Sequence, residues 1–168
     1  MRHIMETQFE LGTVIHATLR PQDLVPAFLE RLHSLEPETH ARLLTDFRCI
    51  ALSDDDPWWD SEDCAHFLNE DLFDALNNCA PDYVYFGSHE GDGSDFGFWI
   101  DWEAIEEAIH DGELPQVNDR AKGGKGTHSP HYVGMWIHIN DHGNATLYNR
   151  IRGGFGESGK DTIIWTVV

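Results

Sequence analysis

The chain has 168 residues, 40% of them hydrophobic and 11% aromatic, and a formal net charge of −19. Six Trp and nine Phe exclude a disordered acidic polymer, and the length suits one domain, residues 1–168, with a real core. Met1 to Arg20 lack the apolar stretch of a signal peptide, and no apolar run approaches the roughly 18 residues of a membrane span, so the sequence predicts a cytoplasmic protein that engages no membrane.

In chain order, β-branched Thr13 to Leu19 predicts a first strand. Pro21 opens a helix in which Leu24, Val25, Phe28, Leu29, Leu32 and Leu35 recur at three- and four-residue steps, and Pro37 ends it. A short helix through Ala41, Leu43 and Leu44 follows, then a strand from Phe47 to Leu52 and a turn from Ser53 to Pro57. Asp60 or Ser61 caps the next helix, whose apolar stripe is Ala65, Leu68, Leu72, Ala75 and Leu76, flanked by Phe67 and Phe73 and stopped by Pro81. Tyr83 to Phe86 and Phe96 to Ile100 predict a hairpin around a Gly/Asp loop.

Asp101 to Asp111 predicts a helix that buries Trp102, Ile105 and Ile109 and ends at Gly112. Leu114 to Pro130 is polar and glycine-rich, a mobile loop of about 114–130. A meander of Tyr132 to Ile139, Ala145 to Ile151 and Thr162 to Val168 closes the chain, with a tight turn at Asn140 to Asn144. The order predicts an α+β fold: an antiparallel sheet of about five or six strands with a C-terminal meander, and three to four helices packed on one face.

Motifs with catalytic or ligand-binding spacing fall short of their chemistry. Gly154 to Thr162 resembles a phosphate-binding loop, but Asp161 stands where Mg²⁺ needs a hydroxyl and a strand follows where a helix is required. Lys122 to Thr127 lacks that spacing too and reads as a flexible basic loop. His89 to Asp95 offers oxygen ligands for calcium, yet Asp95 occupies the place where an EF-hand turn needs glycine. His128 and His131 have no cysteine partner nearby, and His138 and His142 flank a turn. Cys49, Cys64 and Cys79 are odd in number and form no CxxC pair, which fits reduced thiols, and Cys64 and His66 are wrongly spaced to face each other on a helix. No nucleophilic site is visible, and the expectation is no cofactor, no metal and no enzymatic activity.

The charge itself is the informative feature. Residues 49–119 carry twenty acidic side chains and no Lys or Arg, against seven acidic and five basic in 1–48, and three acidic and six basic in 120–168. On the helix from Asp101 to Asp111, Asp101, Glu103, Glu106, Glu107 and Asp111 lie mostly opposite the apolar stripe. Eleven residues rise about 16 Å, so the carboxylates average about one per 3 Å, close to the phosphate spacing of about 3.4 Å along a DNA strand. The preceding stretch adds Asp54, Asp55, Asp56, Asp60, Glu62, Asp63, Glu70, Asp71 and Asp74, and the hairpin loop adds Glu90, Asp92 and Asp95. Without interleaved bases their repulsion lowers stability, which raises a binding purpose to equal standing with a merely solubilising face. Trp58 and Trp59 are an aromatic anchor if exposed and core residues if not.

Asn69 to Leu76, Tyr85 to Trp99 and Ile139 to Tyr148 resemble segments of small acidic proteins carried by bacterial phages, plasmids and integrative elements. The resemblance covers about two thirds of the chain and transfers no site residues. It implies a mobile-element origin, where anti-restriction and anti-CRISPR proteins offer an analogy of function. The leading expectation is therefore a non-enzymatic inhibitor. Its acidic face, Asp54 to Glu113, occupies the basic groove of a nucleic-acid-binding partner, a CRISPR effector or a restriction enzyme, without touching nucleic acid itself. The alternatives are a small metal-dependent hydrolase using the His89–Asp95 loop, and a mobile-element adaptor that binds a basic protein.

Overall fold

The computed structural model describes residues 8–46, 52–117, 132–153 and 159–168. The expected strand at 47–52, apart from Leu52, lies outside the described residues, as do Cys49, most of the 114–130 loop, His128, His131 and the centre of the 154–162 motif. The fold is α+β, with seven strands in two sheets and four helices among the described residues. The chain divides into two compact units: residues 12–100, and residues 1–11 with 101–168. Among the described residues the strands form sheets of three and four, and not the expected single sheet of five or six.

In the 12–100 unit, β1 (Gly12–Ile15), β2 (Val84–His89) and β3 (Asp92–Ile100) make an antiparallel sheet in the order β1-β3-β2. β1 is shorter than the Thr13–Leu19 run because Ala17 takes a left-handed backbone (φ 61°), which breaks extended geometry. The β2–β3 hairpin is longer than the sequence suggested, reaching His89 and Asp92 around a tight Glu90–Gly91 turn. At Gly97, where β3 pairs with Thr13, a Cβ would sit 2.2 Å from the Gly12 carbonyl oxygen, so this crossing admits only glycine.

Three helices belong to this unit. α1 (Pro21–Leu35) starts on Pro21, tolerates Pro26 in its second turn, and buries Leu24, Val25, Phe28, Leu29 and Leu32. Pro37 both follows its end and opens α2 (Pro37–Asp46). After a 3-10 turn at Pro57–Asp60, α3 spans 62–79 as consecutive stretches: Glu62–His66, a π-helical Phe67–Leu72, and Phe73–Cys79. Ser61 caps it, accepting from the Cys64 N–H at 3.1 Å. The π turn was not foreseen. Its wider turn brings residues five apart to the same side, and Phe67 and Leu72 are both fully buried, while Ala65, in the preceding stretch, is exposed.

The core of this unit is aromatic. Phe28 is fully buried, and its ring meets those of Phe73, Phe86 and Phe96 edge-on at 5.7, 4.9 and 5.7 Å. The edge strand β2 is closed at Phe86 by Asn77 of α3. Its amide donates to the Phe86 carbonyl (3.1 Å) and accepts from the Phe86 N–H (2.9 Å), imitating a neighbouring strand.

In the other unit, α4 (Trp102–His110) precedes a sheet in the order β4-β5-β6-β7: β4 (Gln116–Val117), β5 (Gly134–Ile139), β6 (Ala145–Ile151) and β7 (Lys160–Val167). The C-terminal meander is as expected, and its 140–144 turn is built by the Asn140 side chain, which accepts from the His142 and Asn144 N–H groups. The first part of the supposed mobile loop is ordered. Leu114 is buried, and β4 pairs in parallel with β5. Phe9 donates its N–H to the Ile164 carbonyl of β7 (2.8 Å). Trp165, Ile137, Leu147, Ile105 and Leu114 are fully buried here.

Candidate functional site

The nineteen positions nominated from sequence divide between the two units: fourteen, from Asp54 to Asp95, in one, and five, from Asp101 to Asp111, in the other. Their local roles differ.

Many acids of the 12–100 unit serve its own structure. Asp56 caps the 3-10 turn, accepting from the Trp58 N–H at 2.9 Å. Asp54, exposed, lies 3.5 Å from Arg20. Asp71 lies 3.9 Å from His66. Asp92 accepts from the Ser94 N–H (2.9 Å) and hydroxyl (2.8 Å), and these bonds hold its carboxyl below the usual carboxylate range. Asp95 accepts from the Thr13 hydroxyl (3.2 Å), tying β3 to β1. The His89–Asp95 loop is thus a hairpin end in which Asp92 and Asp95 each already bond a neighbouring group, and among the described residues no three His, Cys, Asp or Glu side chains converge to hold a metal ion. Asp55, Asp60, Glu62, Asp63, Glu70, Asp74 and Glu90 are exposed.

Trp59 is buried and donates its indole N–H to the Ser53 carbonyl (2.9 Å), so it is a core residue and not an anchor. Trp58 is half-buried, its ring 5.1 Å from Trp59 and 6.2 Å from Phe67. A polar cleft of about 470 Å³ between α2 and α3 is lined by Glu36, Arg42, Asp71, Asp74 and Cys79, among others. Burial, reinforced by Glu36, pushes the Cys79 thiol up to about 11, which makes it a poor nucleophile. Cys64, fully buried, packs as a small apolar group.

α4 is built differently. Asp101 is its N-cap, accepting from the Ala104 N–H at 2.9 Å. Gly112, with φ 77°, ends it, and the Leu114 N–H closes back on the Ala108 carbonyl (3.0 Å). Caps at both ends fix the helix in register, and its inward line is Ile105 and Ala108. Glu103, Glu106, Glu107 and Asp111 are all exposed, and among the described residues none of them is paired with Lys or Arg. This unit has an ion pair on its sheet, where Arg150 grips Asp161 through two bonds of 2.7 Å and the Trp136 indole N–H also donates to Asp161 (3.1 Å).

Trp102, expected in the core, is 41% exposed. As the first residue of the helix it lies beyond the Ile105–Ala108 line, and its ring lines an open groove instead. That groove, about 610 Å³, is walled by Trp102, Ile105, Ile109 and Ile139, with Glu106, His110, Gln116 and Gly143 completing it. The sequence carried one signal for it, an aromatic residue directly after a helix cap. Its far wall was invisible, because Gln116, Ile139 and Gly143 come from β4, β5 and a turn.

Comparison of the chain with protein-family models, curated proteins and solved structures finds no match.

Proposed function

We propose that the protein is a non-enzymatic acidic inhibitor of a nucleic-acid-binding defence system, of anti-CRISPR or anti-restriction type, acting in the cytoplasm. Its α4 carboxylates occupy a basic groove that otherwise holds nucleic acid. The observation that carries this reading is the exposed set Glu103, Glu106, Glu107 and Asp111, with no Lys or Arg partner among the described residues, on a helix capped at both ends. A preformed helix presents these charges without a backbone ordering cost, and a basic groove gains by neutralising them. The base-free composition of 49–119 and the resemblance to mobile-element proteins support the same reading. The exposed acids Asp55, Asp60, Glu62, Asp63, Glu70 and Asp74 of the other unit are secondary contributors.

The test is calorimetric titration into a CRISPR effector and into a restriction endonuclease, each free of nucleic acid. Wild-type protein is expected to bind at least one of them, more weakly as salt rises. The Glu103→Lys/Glu106→Lys/Glu107→Lys variant is expected to keep its circular dichroism and lose that binding. Unchanged affinity of the folded triple variant sinks the proposal.

A further inference from the structure

The groove beside α4 combines two properties that select one chemistry. Its walls are apolar and aromatic, from Trp102, Ile109 and Ile139, and its rim carries Glu106. Trp102 and Glu106 stand four residues apart on the same helix, so they are neighbours on successive turns. A purely hydrocarbon ligand leaves the carboxylate facing an apolar group. A phosphate or carboxylate is repelled by it. A lysine ammonium pairs with Glu106 but holds its water tightly and stacks poorly. An arginine guanidinium is planar and weakly hydrated; it stacks on an indole face, pairs with a carboxylate, and lays its methylenes along isoleucine.

We propose that this groove is an arginine-binding pocket. It takes an arginine side chain of the basic partner between the Trp102 ring and the Glu106 carboxylate, with the side-chain stem against Ile109 and Ile139. The proposal rests on the acidic-face reading of α4 and adds to it the residue type that is recognised. Glu103 and Glu107, which do not line the groove, attract any cation; Trp102 with Glu106 discriminates arginine from lysine.

The probes are capped hexaarginine and hexalysine peptides, titrated calorimetrically at low salt into the full-length protein and followed at the tryptophan indole N–H signals by NMR. Hexaarginine is expected to bind about threefold to tenfold tighter than hexalysine, the scale of one partly exposed cation–π contact. One indole signal, assigned to Trp102 by its loss in Trp102→Phe, moves with hexaarginine. Trp102→Ala removes the arginine preference, Trp102→Phe keeps part of it, and Glu106→Gln weakens hexaarginine more than hexalysine. Glu103→Lys/Glu107→Lys weakens both peptides alike and leaves the preference intact. Equal affinity for the two peptides with the Trp102 indole unmoved overturns the pocket while leaving the α4 reading standing. Failure of both peptides to bind overturns the α4 reading and the pocket together.

Discussion

The acidic residues of the 12–100 unit and those of α4 are chemically alike but structurally unequal. In the first unit Asp56 caps a turn, Asp92 closes on Ser94, Asp95 holds Thr13, and Asp54 and Asp71 lie beside Arg20 and His66. On α4 only Asp101 has such a task, and Glu103, Glu106, Glu107 and Asp111 point outward without a basic partner among the described residues. A run of carboxylates is therefore not one surface. Part of it stabilises local geometry, and only the remainder has its charge available to a partner.

The contrast can be broken most forcefully at the cores, which should respond to packing and not to charge. Phe28→Ala removes the ring shared by Phe73, Phe86 and Phe96, and is expected to lower unfolding free energy by about 3–5 kcal/mol, read by urea denaturation. Gly97→Ala forces a methyl group onto the Gly12 carbonyl, and the β1–β3 pairing must give way. The expected loss is about 2–3 kcal/mol, with faster amide exchange in Gly12–Ile15.

Smaller changes sharpen the distinction between structural and free acids. Asp101→Ala deletes the α4 cap and is expected to cost about 1 kcal/mol in the same denaturation assay. Glu103→Gln, two residues on in the same first turn, should change stability by less than about 0.5 kcal/mol. Equal losses from the two substitutions would erase the division between them. Least disruptive is titration of Cys79. Its folded value of about 11 lies above the ordinary thiol value of 9.0, so the neutral thiol is favoured in the folded state. The stabilising contribution is complete below pH 9.0 and is lost as pH rises towards about 11. Iodoacetamide should accordingly label Cys79 of the folded protein far more slowly than a free thiol at pH 8, with the rate climbing only near the upper end of that window; labelling by mass spectrometry decides it.

Helix α1, the Gly112 stop, the β2–β3 hairpin and the final meander were legible because each is written in local periodicity and turn chemistry. Trp102 was misplaced for an instructive reason. Helical spacing put it in line with Ile105 and Ile109, yet a first-turn residue is covered only if another element reaches it, and here none buries it fully. The π turn at Phe67–Leu72 was hidden because an inserted residue changes the period midway through an otherwise ordinary stripe. β4 was hidden because two residues carry no periodicity at all, and their strand geometry comes from pairing with Ile137 and His138.

By itself the sequence determined the α+β class, most element positions and the base-free character of 49–119, since propensity, caps and charge are properties of neighbouring residues. Only the tertiary structure decided that the strands form two sheets, that Trp59 is buried while Trp102 is not, and which carboxylates have no partner among the described residues. Those outcomes depend on partners distant in the chain, such as Asp95 with Thr13, Asn77 with Phe86, and Trp102 with Ile139 across one groove. Strand pairing and burial are long-range contacts, and no local pattern encodes which distant residue will supply the other half.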